Sequence, residues 1–311
     1  MRGSLTSRSN LLRVLGTLFA VLLMAYLLWQ HWEDILASLT QLAWGRLALA
    51  FGFMLLSRLA VMGRWHALLR SAGTEIKFSL SARITYAGLF ATNFLPTTIG
   101  GDVVRLAGAV QAGLDAALAT ASLIVDRLVG MLGMALILPV GMLRVAALVA
   151  ARPGPWLAAG LVGRLGERLR RGGRRMLHAL LLWRRQPRGL LAALGLTLVH
   201  MLGFFGCLYV LLNGLGEPMS FWRIGGLWSL VYFVTLLPVS INGLGLQEVS
   251  FTYIFSTFGG ISDPASVSVA LIFRTLMMLA SLPGALFLPD VMAGVEKAEP
   301  LLEEEEFSAP L

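Results

Sequence analysis

Six charged residues lie within or directly beside long apolar runs of this chain and are the candidates for chemistry: Asp102, Arg105, Asp126, Arg127, Glu248 and Arg274. A charge at the centre of a bilayer costs about 2.5–3.5 kcal/mol on insertion scales, so such residues face a cavity or pair with one another. Arginine binds phosphate well, and a nearby carboxylate balances it. We therefore expect a site where the arginines bind phosphate and the acids balance them. Purely structural ion pairs are the alternative.

Two further arginines, Arg58 and Arg64, lie in an earlier apolar run. Arg64 is counted among the substrate-binding candidates, although both side chains are long enough to reach the membrane interface. Adjacent helical residues do not face one another, so Asp126 and Arg127 are predicted to have separate partners. Residues three apart share a helical face, as Asp102 and Arg105 would.

A seven-residue motif occurs twice beside these charges. Residues 95–101 read LPTTIGG and residues 237–243 read LPVSING. Irregular backbone at membrane depth is tolerated only where it is buried in protein or lines a cavity. Paired proline and glycine breaks in two halves of a membrane protein are typical of a transport site. We assign the hinges of these two broken segments to Pro96, Gly100, Gly101, Pro238, Asn242, Gly243 and Gly245.

A helix that begins after Gly101 would place Asp102 near its N-terminus, where the helix dipole favours an acid. Free backbone amides at such a terminus can also receive a phosphate. The second copy of the motif offers the same arrangement at Gly243 to Gly245.

The composition is that of a membrane protein. The 311 residues are 57% hydrophobic and 14% charged, with a mean hydropathy of +0.77, whereas soluble domains average about 25% charged residues. We predict an all-α, polytopic helical membrane protein with about 7–9 transmembrane or re-entrant segments. Residues 1–295 would form a single integral-membrane domain, and residues 296–311 an acidic flexible tail. The lone cysteine, Cys207, excludes an internal disulfide.

Arginine placement predicts the orientation. The segment 164–188 contains nine arginines and one acid, Glu167, and the positive-inside rule makes it cytoplasmic. The basic N-terminus is then cytoplasmic too. This segment could serve topology alone or bind anionic lipid headgroups. Candidate spans are 11–30, 46–69, 80–97, 118–143, 189–213, 222–238 and 265–289, whereas the runs 145–163 and 244–259 are broken or short.

The two motif copies lie in two predicted half-repeats, about 46–143 and 189–289, joined by the basic segment 164–188. With the arginine-based topology, span 80–97 runs outward and span 222–238 runs inward. The half-repeats would then be inverted, as in many secondary transporters. This relation requires that 145–163 does not cross the membrane, and chance recurrence of Leu-Pro and Gly is the alternative.

Motifs for other chemistries do not occur in the sequence. The histidines at 31, 66, 178 and 200 lack metal-ligand spacing, and no phosphate-binding loop for ATP is present. We therefore predict no metal, no cofactor and no catalytic residue. Nucleic acid is not expected as a partner, and the sequence does not fix the oligomeric state.

Four short stretches in order resemble the flippase-like transmembrane region of lysylphosphatidylglycerol synthases: GRWHALL (63–69), NFLPTTIGGDVVR (93–105), DRLVG (126–130) and LPVSINGLGLQE (237–248), with Arg274 beyond them. The family usually has Glu-Arg where this chain has Asp126–Arg127, and often a basic residue where it has Gln247. The resemblance implies movement of a phospholipid or other lipid-linked headgroup across the bacterial inner membrane. It does not imply lysyl transfer, because the synthetase domain is missing from this sequence.

The main hypothesis is thus a lipid flippase or scramblase-like secondary transporter. Arg105, Arg127 and Arg274 would bind phosphate, while Asp102, Asp126 and Glu248 would balance them, one of these acids taking up a proton during the cycle. A membrane enzyme that modifies a lipid headgroup is one alternative, with paired carboxylates as acid and base. The other is a non-catalytic scaffold that docks a lipid- or glycan-synthesis enzyme through the arginine-rich segment.

Overall fold

The structure is a computed structural model, and it describes residues 26, 29, 33, 40, 42–94, 100–150, 187–236 and 243–291. Within these ranges every regular element is a helix, which confirms the prediction of an all-α fold. In chain order the helices are α1 (Trp44–Ser71), α2 (Phe78–Phe94), α3 (Gly101–Gln111), α4 (Ala116–Ala150), α5 (Pro187–Gly214), α6 (Phe221–Thr235), α7 (Leu246–Thr257) and α8 (Asp263–Leu279), followed by a 3₁₀ helix (Leu282–Leu286).

Four stretches of the described chain are long and apolar enough to cross a membrane: Trp44–Ser71, Ala116–Leu143, Pro187–Gly214 and Asp263–Leu286. They coincide with the predicted spans 46–69, 118–143, 189–213 and 265–289, so the protein is a helical membrane protein. The predicted spans 80–97 and 222–238 are the shorter helices α2, of 17 residues, and α6, of 15 residues. The run 244–259 contains α7, of 12 residues.

Several sequence predictions fall outside the described residues. These include nearly all of the first span 11–30, the acidic tail 296–311, and most of the arginine-rich segment 164–188. Helix α4 continues through Pro139 to Ala150, but the rest of the run 145–163 is not described. The inverted relation between the half-repeats therefore stays a prediction.

The described residues divide into two compact units, which we name after their buried acids. The Asp126 unit contains 56–94, 100–131, 187–200 and 278–291, and the Glu248 unit contains 42–55, 132–150, 201–236 and 243–277. Each unit includes the residues on both sides of one copy of the seven-residue motif.

Small residues allow close helix packing in the Asp126 unit. Its apolar core combines Trp65, which is fully buried, with alanines on neighbouring helices, among them Ala87 and Ala109. Trp65 Nε1 donates a hydrogen bond to Ser122 Oγ at 3.0 Å, so the polar end of the indole is satisfied inside this core. This bond fixes α1 against the first turns of α4.

Aromatic side chains form much of the core of the Glu248 unit. The Trp228 ring lies 4.9 Å from Phe273 and 5.7 Å from Phe204, measured between centroids, in edge-on geometries. Helices α4 and α6 approach closely where Gly141 meets Gly226, because a Cβ on either would overlap the other's backbone. The packing brings α7 and α8 together around the acid that names the unit.

Candidate functional site

The first broken segment ends where α3 begins. Pro96 lies outside the described residues, while Gly100 precedes the helix and Gly101 is its first residue. The Gly101 amide donates to Thr92 Oγ1 at 3.1 Å, so α2 provides a partner for one of the free amides at the start of α3. Asp102 lies in the first turn, as predicted, where the helix dipole favours its charge.

Helices α2 and α3 approach each other closely at two glycines. A Cβ on Gly88 would lie 2.7 Å from both Arg105 Cγ and the Gly101 carbonyl oxygen, and a Cβ on Gly101 would overlap the Gly88 carbonyl. No side chain larger than hydrogen fits at either position without displacement. The stem of Arg105 therefore crosses α2 at Gly88, and this passage directs its guanidinium toward α4.

Asp126 is the centre of a buried charge network. Its Oδ1 accepts from Arg64 Nε at 2.7 Å, and its Oδ2 accepts from Arg105 Nη1 at 3.1 Å. The Asp126 side chain is 2% exposed, and those of the two arginines are 9% and 8% exposed. One carboxylate thus joins an arginine of α1 to an arginine of α3. Gly130 leaves room for this arrangement, since a Cβ there would lie 3.2 Å from Arg64 Nη1.

The network extends outward through Asp102. Arg105 Nη1 lies 3.5 Å from Asp102 Oδ1, which confirms that these residues share a helical face. Arg127 Nε forms an ion pair with the other oxygen, Asp102 Oδ2. The Arg127 side chain is 59% exposed and that of Asp102 is 31% exposed, so this pair is the accessible end of the network. Asp126 and Arg127 have separate partners, as predicted, but Arg105 links them indirectly.

Both ion pairs that Arg105 forms with described residues use its Nη1. Its Nε and Nη2 are buried, and neither has a hydrogen-bond partner among the described residues. The guanidinium carbon lies 4.5 Å from the centroid of the Trp65 ring, a cation–π contact that orients the group without using an N–H. Buried arginine donors are usually satisfied, because leaving one unpaired costs about 1–3 kcal/mol or more. Arg105 is therefore equipped to accept another anion.

The formal charge of the network is also consistent with the binding of an anion. Three arginines, Arg64, Arg105 and Arg127, are joined to two aspartates, Asp102 and Asp126. The network therefore has a formal charge of +1, and Arg64, Arg105 and Asp126 are its buried members. An anionic headgroup could balance this charge, and arginine suits phosphate because its planar fork can donate two parallel hydrogen bonds.

The Glu248 unit holds a simpler pair. Arg274 Nε of α8 binds Glu248 Oε1 of α7, and both side chains are buried, at 10% and 6% exposed. Arg274 Nη2 also donates to the carbonyl oxygen of Gly243 at 3.3 Å. The second carboxylate oxygen, Glu248 Oε2, is buried without a hydrogen-bond partner among the described residues.

The end of the second break also uses glycine. Gly243 and Gly245 have φ angles of +69° and +73°, in the left-handed region that glycine adopts without strain. Gly245 directly precedes α7, while Pro238 and Asn242 lie outside the described residues. Arg274 thus fixes both the end of the break, through Gly243, and the first turn of α7, through Glu248.

The two units share a local pattern. In each, a short helix follows the break and carries an acid in its first turn, Asp102 on α3 and Glu248 on α7. In each, that acid pairs with an arginine on the next helix, Arg127 on α4 and Arg274 on α8. The units differ in what surrounds the pair, because in the Asp126 unit the buried Arg64 and Arg105 also belong to the charge network.

Comparison with models of known families identifies the family of this chain. The model described as the lysylphosphatidylglycerol synthase TM region matches residues 13–165 and 145–284. The chain belongs to this family. A search of curated proteins returned no match. The sequence resemblance is confirmed, and membership identifies a membrane protein of lipid metabolism or transport.

In this member of the lysylphosphatidylglycerol synthase TM family, the structure brings together five of the seven predicted binding residues. Arg64, Asp102, Arg105, Asp126 and Arg127 form the network of the Asp126 unit. Glu248 and Arg274 form their own pair in the Glu248 unit. Arg58 is buried like Arg64, at 5% exposed.

Four contributors to the network were not predicted from the sequence. Gly88 leaves space for the Arg105 side chain, and Thr92 accepts a hydrogen bond from the first amide of α3. The Trp65 ring contacts the Arg105 guanidinium. Thr197 Oγ1 accepts a hydrogen bond from Arg64 Nη1 at 3.3 Å. Gly88 and Thr92 are four residues apart on α2, and this spacing could have predicted that they share one face of that helix. Nothing in the sequence marks Thr197, which is distant in the chain.

Proposed function

We propose that this protein is a lipid flippase or scramblase-like secondary transporter of the bacterial inner membrane. Its substrate would be a phospholipid or another lipid-linked molecule with an anionic headgroup. The N-terminus and the arginine-rich segment 164–188 would lie on the cytoplasmic side. Family membership supports a role with lipids, and the charge network supports a substrate that carries phosphate.

The observation that carries the proposal is that two buried donors of Arg105, Nε and Nη2, have no hydrogen-bond partner among the described residues. A phosphate oxygen placed beside Nε and Nη2 would satisfy both N–H groups with charge-assisted hydrogen bonds. The acyl chains need no protein site, because they can remain in the surrounding bilayer. The headgroup is the part of a lipid that resists crossing, so a site for the headgroup is what a transporter must supply.

The exposed pair Arg127–Asp102 suggests how a headgroup could enter. A phosphate that approaches Arg127 could replace Asp102 on the guanidinium, since both are oxygen anions of similar geometry. The displaced Asp102 would keep Arg105 as a partner, at 3.5 Å in the present arrangement. Exchange of anions on arginine breaks no covalent bond and is reversible, which favours transport over an enzymatic role.

The proposal can be tested with the purified protein in liposomes that contain fluorescent phospholipids with different headgroups. We expect faster transbilayer movement of at least one headgroup, and at least about tenfold slower movement with Arg105→Gln, from the loss of hydrogen bonds to a charged group. Arg105→Lys should restore the charge but only part of the rate. Arg70→Gln is the matched control, because Arg70 is exposed at the end of α1.

Absence of acceleration for every headgroup would contradict the transport proposal, as would an unchanged rate in Arg105→Gln. Labelled lipid should be recovered chemically unmodified after the assay. A new lipid product that depends on Asp102 or Asp126 would instead support the alternative of a membrane enzyme.

A further inference from the structure

A cavity in the Asp126 unit lies apart from the charge network. It has a volume of about 260 Å³ and is lined by residues of α2, the C-terminal end of α3, and the segment after the 3₁₀ helix. Three of the lining residues are polar: Arg83, Gln111 and Asp290. None of these three takes part in the network around Asp126.

The base of the cavity is apolar and tightly packed. Ile84 and Val291 are 1% and 6% exposed. A Cβ on Gly108 would lie 2.9 Å from Ile84 Cγ2 and 3.0 Å from Val291 Cγ1, so no gap remains between these helices at that point. The cavity is therefore bounded by tightly packed side chains at Gly108.

The two charged residues of the cavity are Arg83 and Asp290. Among the described residues, neither the Arg83 guanidinium nor the Asp290 carboxylate forms an ion pair. The Arg83 guanidinium carbon lies 5.7 Å from the centroid of the Phe287 ring. Asp290 is three residues beyond Phe287 in the same segment. A single cavity thus offers one cationic and one anionic group, with the Gln111 amide as a further donor and acceptor.

The position of the cavity along the chain suggests that its ligand is a lipid. Phe287, which lines the cavity, directly follows Leu286, the last residue of a stretch that is long and apolar enough to cross a membrane. Several apolar side chains at this cavity are exposed: Leu80, which lines it, at 40%, and Phe78 and Leu286, which are close in sequence to lining residues, at 49% and 77%. In a membrane these side chains would contact acyl chains while the cavity receives a headgroup.

We propose that this cavity binds the headgroup of a zwitterionic phospholipid that has a primary amine, of the phosphatidylethanolamine type. The phosphate would bind Arg83 and the ammonium would bind Asp290. The volume is just below the range of about 300–1,000 Å³ for sites that enclose whole drug-sized ligands, which suits a headgroup whose chains stay outside. This site is distinct from the Arg105 network and does not depend on the transport proposal.

The charges predict selectivity. An anionic headgroup such as that of phosphatidylglycerol would bring no cation to Asp290, leaving the carboxylate beside an added negative charge. A choline headgroup would bring a cation that has no N–H donor. The order of affinity is therefore ethanolamine above choline and glycerol headgroups.

The experiment measures binding of dihexanoyl lipids to the full chain in detergent by calorimetry, with each lipid below its micelle concentration. We expect phosphatidylethanolamine to bind at least about tenfold more tightly than phosphatidylglycerol, the ratio expected from one charge-assisted contact. Arg83→Gln and Asp290→Asn should each weaken phosphatidylethanolamine binding by about tenfold. Asp290→Asn should also reduce the difference in affinity between phosphatidylethanolamine and phosphatidylglycerol.

Matched controls are Lys77→Gln and Glu75→Gln, which remove neighbouring exposed charges that do not line the cavity. Both should leave binding unchanged. Ala112→Trp, which fills the cavity from its rim, should abolish binding, and thermal unfolding of each variant checks that the fold is retained. Soluble phosphoethanolamine should bind much more weakly than the lipid.

Equal affinity of the wild-type protein for the two lipids would overturn the proposal. So would affinities in Arg83→Gln and Asp290→Asn that match those of the controls. Phosphoethanolamine binding as tightly as the lipid would overturn the assignment of the ligand as a lipid. These outcomes depend on lipid binding and not on transport. A negative binding result would therefore overturn this proposal without contradicting the proposed transport function.

Discussion

Arg64 Nε donates to Asp126 Oδ1 at 2.7 Å, although the two residues are 62 positions apart and both side chains are buried. The same carboxylate also binds Arg105 at 3.1 Å. Asp126 therefore balances two arginines inside a membrane protein, and several effects of substitution follow from that position.

Replacing Asp126 by Asn should destabilise the protein strongly. The change leaves Arg64 and Arg105 buried without their shared carboxylate, and removal of one partner of a buried ion pair costs about 3–5 kcal/mol. Unfolding of the detergent-purified protein by heat or denaturant measures the loss. Glu75→Gln, which removes an exposed acid, should change stability little, and equal stability of the two variants would contradict the importance of the network.

Arg127→Gln should separate function from stability. Its ion pair with Asp102 is partly exposed, and such pairs contribute only about 0–1 kcal/mol to stability. Transport should nevertheless slow if phosphate first binds at Arg127. The check compares the unfolding midpoint and the liposome transport rate of the same preparation. A normal transport rate would remove Arg127 from the proposed entry route, whatever the stability.

Gly88→Ala should impair the site from a position that bears no charge. The added Cβ would lie 2.7 Å from Arg105 Cγ and from the Gly101 carbonyl oxygen, so α3 and the Arg105 side chain must shift. We expect slower transport and lower thermal stability. Gly195→Ala on α5 is the matched control, because nothing lies within 4 Å of a Cβ there. The control should be neutral or slightly stabilising, since alanine favours helix by up to about 1 kcal/mol; similar losses in both variants would argue against the close approach at Gly88.

The Glu248–Arg274 pair should show strong coupling in a double-mutant cycle. Glu248→Met alone leaves a buried arginine, and Arg274→Met alone leaves a buried glutamate, so each should cost about 3–5 kcal/mol. The double variant has no unpaired charge and should recover a substantial part of the loss. Denaturant unfolding of the four proteins gives the coupling energy. Simple additivity of the two single losses would mean that the ion pair does not hold α7 to α8.

The charged residues of the site could be predicted from the sequence, whereas the uncharged residues that position them could not. Asp102, Arg105 and Asp126 were recognisable because a charge in an apolar run is costly and needs a reason. Gly88 and Thr92 were not, because small and hydroxylated residues are common in membrane helices and carry no such cost. Their role depends on which face of α2 meets α3, and this was not specified by the spacing of residues within α2 alone.

Partners were predictable only at short range. The shared face of Asp102 and Arg105 follows from helical spacing, and the separate partners of Asp126 and Arg127 follow from their adjacency. The link from Arg64 to Asp126 does not, because any of the buried arginines could have been placed opposite that acid. The proximity of Arg83 and Asp290 was also not apparent, since the two residues are distant in the chain and lie in the same cavity only after folding.

By itself, the sequence determined that this is an all-α membrane protein, that the same motif follows two of its apolar runs, and that a few costly charges lie beside the two copies. These features depend on local composition and spacing, which bilayer thickness and backbone hydrogen bonding constrain directly. Only the tertiary structure decided that Asp126 joins Arg64 to Arg105, and that two donors of Arg105 have no partner among the residues that the structure describes. Such relations depend on which helix faces pack together, and that is set by side-chain fit between segments far apart in the chain.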